Sequence, residues 1–382
     1  MEYKSLKNVS SIIMGQSPKS NTYNENGEGI PFFQGKSDFG KLNPSIRMYC
    51  TEPKKVANEF DILMSVRAPV GDVNIANTEC CIGRGLCAIR GNKEINNKYL
   101  YYCLITKKQE FNSRATGSTF KAINKSVIEE LEIPIPSLEI QNKIVEILDK
   151  AQELINKRTE QIDYLDELIK SKFIEMFGNP VRNTKKITQE PLSKHIELIG
   201  GYAFKSGDFE EQGIPVLRIG NINSGYFKAN NLKFWKDDKA LEKYMLYPND
   251  LVISLTGTVG KDDYANICKL GNDYPKYYLN QRNAKIILKD TVNTEYITEL
   301  LRNEGIKRRL TSSGKGVRQA NISNKNILDL VVPIPPREQQ DKFADIIKSI
   351  DILKSDMTKS LEELENNYNS LLQRAFKGEL FI

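Results

Sequence analysis

Two stretches of this chain place apolar residues at alternating steps of four and three. The first runs Ile144, Leu148, Ala151, Ile155, Arg158, Ile162, Leu165, Ile169, Lys172, Met176. The second runs Phe343, Ile347, Ile350, Lys354, Met357, Leu361, Leu364, Tyr368, Leu371, Ala375. Such spacing is a coiled-coil seam and predicts two long helices, over 137–178 and 336–382. Each follows a proline cluster (IPIP at 133–136, PIPP at 333–336). Proline disfavours helix in the residue before it, so both helix starts should be sharp. Charged residues interrupt the seams at Arg158, Lys172 and Lys354. A parallel self-pairing seam would stack Arg158 on Arg158, so the two unlike helices are expected to pair with each other. At about 1.5 Å per residue, forty residues would span about 60 Å, which makes the helices a spacer.

The segments between them, 1–136 and 179–335, read differently. Short apolar runs sit between Gly, Asn, Pro and Asp clusters, which predicts strands and loops rather than long helices. The two segments also repeat each other. GIPFFQGKSDFG (29–40) answers GIPVLRIGNINSG (213–225), and DILMSVRAPVGDVNIAN (61–77) answers DLVISLTGTVGKDDYAN (250–266). IEELEIPIPSLEIQNKIVEIL (128–148) recurs as ILDLVVPIPPREQQDKFADII (327–347), sharing Ile, Leu, Pro, Glu, Gln and Lys positions at an offset of 199. That is far longer than a solenoid period, so the whole chain is one unit written twice. The offset grows from 184 at Gly29/Gly213 to 199 at Pro134/Pro333, so the second copy carries about 15 more residues, placed in its loops.

Composition narrows the function. At 382 residues the chain can hold two or three domains. It has no apolar run near the roughly 20 residues that span a bilayer, and no apolar core of a signal peptide at its start. Six scattered cysteines (Cys50, Cys80, Cys81, Cys87, Cys103, Cys268) make a poor disulfide framework and fit reduced thiols in the cytoplasm. The two helical stretches hold 13 Lys/Arg against 18 Asp/Glu, so in a chain of net charge +6 the remainder holds +11. The positive charge therefore lies where a polyanion would bind. A lone histidine, His195, is unmatched in the first copy and argues against His triads, His-rich metal sites and HNH-type nucleases. There is no GxxxxGK[ST] loop, no methylase PP tetrad and no Gly-rich cofactor loop. Two tandem copies without an acid–base–nucleophile set point to binding rather than catalysis.

In its order of globular unit, long helix, globular unit, long helix, the chain closely resembles the specificity subunit of type I restriction–modification systems. The resemblance is carried by the two GIP stretches (Gly29, Gly213), the Asp–xxx–Ser strands (Asp61, Ser65; Asp250, Ser254) and NQRNAKII (280–287). The glycine loops RATGSTFKAI (114–123) and SSGKGVRQANI (312–322), the Pro–xx–Glu–x–Gln helix starts and the closing LLQRAFKGEL (371–380) add to it. CIGRGLCAIR (81–90) departs from the pattern, with Arg84 as the counterpart of Arg282. The resemblance implies an α+β fold with two α/β target-recognition domains (1–136, 179–335) and two helices paired as an antiparallel coiled coil with a pseudo-two-fold repeat. Each domain would read one half of an asymmetric bipartite double-stranded DNA site, and the helices would set the spacer. Two methyltransferase subunits would dock on that scaffold, and two restriction subunits could join. S-adenosylmethionine, ATP and Mg would be used by those partners, and this chain would bind no cofactor or metal and have no catalytic residue.

Basic and amide side chains in Gly-rich loops are the expected DNA contacts, since Arg pairs with guanine and Asn or Gln with adenine. In the first unit these are Lys19, Gln34, Lys36, Arg67, Arg84 and Arg114; in the second, Lys205, Arg218, Asn221, Lys261, Arg282, Lys315 and Arg318. Arg218 and Arg282 fall in stretches that read as strand, where internal ion pairs compete. The other function classes are a single-chain methyltransferase or endonuclease, which lacks its motifs here, and a coiled-coil adaptor without DNA affinity.

Overall fold

The structure is a computed structural model that describes residues 2–117, 121–258, 263–312 and 319–380. The chain divides into two compact units, 1–160 with 358–382 and 161–357. The long helices are Leu138–Phe177 and Arg337–Lys377, and each unit contains part of both. No helix among the described residues is long and apolar enough to cross a membrane.

The units repeat one frame. In the first, an antiparallel sheet runs in the order Ser10–Met14, Leu86–Gly91, Ile62–Ser65, Val73–Ile75. In the second, Ile196–Gly200, Asn283–Leu288, Leu251–Ser254 and Ile267–Lys269 take those places. Beside it lies a second sheet with one parallel pair. Ile30–Phe33 pairs with Cys80–Ile82 in the first unit, and Ile214–Leu217 with Tyr277–Leu279 in the second. The recurring GIP glycines are forced by close approach. Gly29 and Gly213 have φ of 86° and 132°, and a Cβ there would lie 2.1 Å from the Cys50 carbonyl and 2.4 Å from the Trp235 carbonyl. The recurring Asp and Ser also build the frame. Asp61 accepts the Asn58 N–H and Asp250 the Tyr247 N–H, each at 2.8 Å. Ser65 Oγ accepts the Asp72 N–H and Ser254 Oγ the Asn266 N–H, each at 3.0 Å.

The recurring glutamines of the helix starts are completely buried. Gln141 Oε1 accepts the Asn96 N–H at 2.7 Å, while its Nε2 donates to the carbonyls of Glu94 (3.0 Å) and Pro136 (2.9 Å). Gln340 repeats this with the Asn293 N–H (2.8 Å) and the carbonyls of Thr291 (3.2 Å) and Pro335 (2.8 Å). Tyr99 and Tyr296 hydroxyls then donate to the Pro134 and Pro333 carbonyls at 2.9 and 2.6 Å. Both tyrosines sit on short helices, Asn97–Thr106 and Thr294–Arg302, which the strand-and-loop expectation missed. The run YLYYCL at 99–104 is buried throughout and lacks an amphipathic period, so only its Asn96 cap marked it as helix.

The two long helices pack on each other within each unit, and they do so antiparallel. In the first unit Ile144 and Leu148 share a core with Leu372, Ala375 and Phe376. In the second, Leu165, Ile169, Phe173 and Phe177 share one with Phe343, Ile347 and Ile350. Ile155 is buried, whereas Ile162, Met357, Leu361, Leu364 and Leu371 are half-buried. The expected seam broadens at its end: Met176 packs half-buried against the core, while Phe173 and Phe177 beside it, rather than Lys172, are fully buried. Lys172 is half-buried and pairs with Glu175 at 2.6 Å. Phe173 and Phe177 instead stack on Tyr296 and Phe343, at centroid distances of 4.9–5.7 Å. Lys354, a charged seam position, pairs with Asp166 of the other helix.

All six cysteines are reduced and buried. Burial pushes the Cys81 thiol up to about 11 and the Cys80, Cys87, Cys103 and Cys268 thiols up to about 12. Replacing Gln340 by Leu should strand one N–H and two carbonyls in the core, costing roughly 3 kcal/mol or more. The sole tryptophan, Trp235, lies in the second unit. Its fluorescence transition in urea should move to lower denaturant in Gln340→Leu and stay in place in Gln141→Leu, which should shift only the remaining circular-dichroism change.

Candidate nucleic-acid interface

In each unit the parallel strand pair ends in two adjoining turns, and most of the described candidates cluster there. In the first unit Phe33 leads into Gln34 and the 3-10 turn Lys36–Asp38, while Ile82 leads into Gly83–Arg84–Gly85. Asp38, almost buried, closes its turn by accepting the Gln34 and Gly35 N–H groups at 2.7 and 3.2 Å, and it pairs with Arg47. The two turns touch so closely that a Cβ on Gly85 would lie 2.3 Å from the Gln34 carbonyl oxygen. Arg84 is exposed, with its N–H and Nε donating to Ser17 Oγ at 3.2 and 3.4 Å. Lys19 is exposed two residues beyond that serine, at the head of the Ser20–Thr22 turn. Arg67 is exposed beside the Val66 N–H, which donates to the Gly85 carbonyl at 2.9 Å, and it bridges to Ala122.

Two candidates of this unit carry offset charge. Lys36 lies 2.9 Å from Asp72, which also takes Lys108 at 2.7 Å. Arg114 is held by Glu110 at 2.5 Å on the helix Lys108–Arg114.

In the second unit Leu217 leads into Arg218 and the 3-10 turn Ile219–Asn221, and Leu279 leads into Asn280–Gln281–Arg282. Both arginines stand just outside the strands, at Ile214–Leu217 and Asn283–Leu288, not within them. The expected internal ion pairs do not occur among the described residues. The turns and the Asn230–Asn231 loop surround a cavity of about 520 Å³, floored in part by Phe204 and Phe209. Lys205, exposed, lies between the lining residues Phe204 and Ser206. Asn221 is buried and its amide is spent on the loop: Oδ1 accepts the Arg218 N–H at 3.0 Å, and Nδ2 donates to the Lys228 and Asn230 carbonyls at 3.0 and 2.9 Å. It is the counterpart of Asp38 and a builder of the turn, which loop composition alone could not reveal. Arg218 Nη2 donates to the Asn231 carbonyl at 2.8 Å, and its buried Nε has no partner among the described residues. Lys261, Lys315 and Arg318 lie outside the described residues.

Matching hydrogen bonds align the turns residue by residue. The Val66 N–H donates to the Gly85 carbonyl as the Leu255 N–H does to that of Arg282. Arg282 therefore corresponds to Gly85 and Arg84 to Gln281, while the strand register, Phe33 with Ile82 and Leu217 with Leu279, sets Gln34 against Arg218 as the first residue beyond the strand. The expected Arg84–Arg282 match is off by one residue, because sequence offers no register inside a turn. Asn230, Asn231 and Gln281, which line the cavity, and Ser17, which holds Arg84, were not among the sequence candidates; the adjacent Asn pair was the one visible signal, for 230–231 alone. No group of three or more His, Cys, Asp or Glu fit to hold a metal occurs among the described residues. His195 is buried between Thr291 Oγ1 and Glu190 Oε2, each at 2.8 Å.

Two repeated α/β units joined by an antiparallel helix pair, with cationic and amide-bearing turns at matching strand ends, describe a duplicated recognition scaffold. The type I restriction modification DNA specificity domain family matches residues 1–164 and 194–366, and the chain belongs to that family. The type I restriction enzyme MjaVIII specificity subunit of Methanocaldococcus jannaschii is 25% identical over 86% of this chain and 81% of its own length. A protein of the same organism, provisionally designated the MjaX specificity subunit, is 51% identical over 134 residues, 35% of this chain and 32% of that protein. The crystal structure of a type I restriction–modification S subunit from M. genitalium shares the fold at a TM-score of 0.54 and 18% identity, over 98% of this chain and 96% of that one.

Asp72 offers a pH test of the first unit. Desolvation pushes its carboxyl up, but Lys108 and Lys36 outweigh that and hold it below the usual range. Its ion pairs thus stabilise the fold above the ordinary carboxylate pKa of about 3.9 and are lost as pH falls below it through the folded value. Asp72→Asn should cost about 1 kcal/mol at pH 7. In thermal melts across pH the gap to the parent chain should close as pH drops under about 4.

Proposed function

We propose that this chain is the DNA-reading subunit of a type I restriction–modification complex, in which each unit reads one half of an asymmetric bipartite site. The supporting observation is a recurring frame whose matching strand ends carry non-recurring residues: Gln34, Arg84 and Gly85 in one unit, Arg218, Gln281 and Arg282 in the other. A common frame suits identical partners, while different side chains suit different half-sites. The paired helices set the gap between half-sites and dock two methyltransferase subunits. Those partners, with restriction subunits where present, use S-adenosylmethionine, ATP and Mg and perform methylation and cleavage in the cytoplasm. The chain itself holds no cofactor and does no chemistry.

Two measurements test this. Removing one heptad from the middle of each long helix shortens it by about 10 Å, or about 3 bp at 3.4 Å per base. Methylation sequencing should then show a correspondingly shorter spacer, and an unchanged spacer in an active complex refutes the ruler. The purified chain incubated with DNA and S-adenosylmethionine should transfer no methyl groups. Alone it should bind DNA with a strong salt dependence that becomes site-specific when the methyltransferase is added.

A further inference from the structure

Resting on that function, we propose that the cavity at the strand ends of the second unit is a guanine-reading subsite, with Arg282 as the specificity-determining residue. Guanine presents two acceptors, N7 and O6, at its major-groove edge, and a guanidinium fork meets both. The side chain of Arg282 is exposed on the cavity wall and has no ion pair among the described residues. Its backbone is pinned on both sides, because its N–H donates to Asn280 Oδ1 at 3.3 Å and its carbonyl accepts the Leu255 N–H at 2.8 Å. A fixed base with an uncommitted arm is what a bidentate base contact needs. Arg218 is a positioning residue: it donates to the carbonyl of Asn231, another lining residue, and adds positive charge. Among the described residues no carboxylate lines the cavity to accept from the cytosine amino group, and of the lining side chains Arg282 alone offers an exposed guanidinium fork without a side-chain partner, beside amides that could read a neighbouring adenine.

Phosphate is the competing ligand, since it too offers only acceptors. The repeat decides against it. DNA backbone is chemically the same at both half-sites, so a phosphate clamp would be retained in both units. Instead Arg282 is answered by Gly85, where a Cβ would collide with the Gln34 carbonyl at 2.3 Å, and Arg218 by Gln34. The two arginine positions are not shared: the matching turn of the first unit carries its exposed arginine, Arg84, one residue earlier, at the place of Gln281.

The test uses the full chain with its cognate methyltransferase, comparing the parent with Arg282→Ala and Arg282→Lys. Both substitutions fall on an exposed side chain, and lysine keeps the charge but loses the fork. Single-molecule methylation sequencing should show both variants relaxing one guanine position in one half-site, on the order of ten- to a hundredfold, with the other half-site unchanged. The salt slope of binding should stay near that of the parent in Arg282→Lys. Relaxation at a base other than guanine overturns the assignment, as does an unaltered motif. Uniform weakening on all sequences in Arg282→Ala, rescued by Arg282→Lys, identifies a phosphate contact and also overturns it. A parallel strain lacking the chain separates the two levels. If its methylated motif persists, the DNA-reading function itself fails; if the motif vanishes but Arg282→Ala keeps its guanines, only the guanine assignment fails.

Discussion

A fully buried glutamine holds each long helix to its unit. Gln141 and Gln340 use both ends of the amide, accepting one N–H and donating to two carbonyls, one of them in the proline run before the helix. Three hydrogen bonds in a dry core fix both the direction and the rotation of the helix start. The neighbouring Tyr99 and Tyr296 hydroxyls hold the same proline segment from the other side. Once the first turn is fixed, every later seam residue is placed by the helical repeat alone. An unsatisfied amide in that position would cost more than the seam contacts nearest to it return, so the latch and the seam depend on each other.

The latch also explains which features were legible in the sequence. Residues that recur across the offset of 184 to 199 are those that build the frame: Gly29 and Gly213 at close backbone contacts, Asp61 and Asp250 capping a turn, Ser65 and Ser254 closing a hairpin, and the glutamines. Their spacing in the chain is their spacing in the structure, so the duplication, the helix starts and most of the seam could be read directly. Legibility ended where side-chain size decided the outcome. Lys172 occupies a heptad place on paper, but Phe173 and Phe177 gain the aromatic faces of Tyr296 and Phe343, and the helix turns to bury them. The helix Asn97–Thr106 was hidden for the opposite reason, because residues buried on every side carry no period.

Site residues were less legible than the frame. A basic residue in a loop can be an arm, half of an ion pair or a brace, and only geometry separates these. Lys36 and Arg114 face Asp72 and Glu110, so their charge is largely offset within the chain. Asn221 is a brace that closes its own loop. Arg84, Arg67 and Arg282 remain exposed at the strand ends, and of these Arg282 could be matched to its counterpart only through backbone hydrogen bonds.

The division between frame and arm has a consequence for how such a chain can change its target. The bonds that hold the Arg282 turn come from its backbone, so the side chain can change without loosening the strand ends. The first unit is not free in the same way, because the Gln34 carbonyl occupies the space a side chain at Gly85 would need. There, variation must act through Gln34 and Arg84, whose side chains are exposed and whose backbone is held by Asp38 and Ser17. The same fold therefore leaves different positions open in its two copies. Under the proposed function, this unequal freedom in the two copies favours two unlike half-sites over a palindrome.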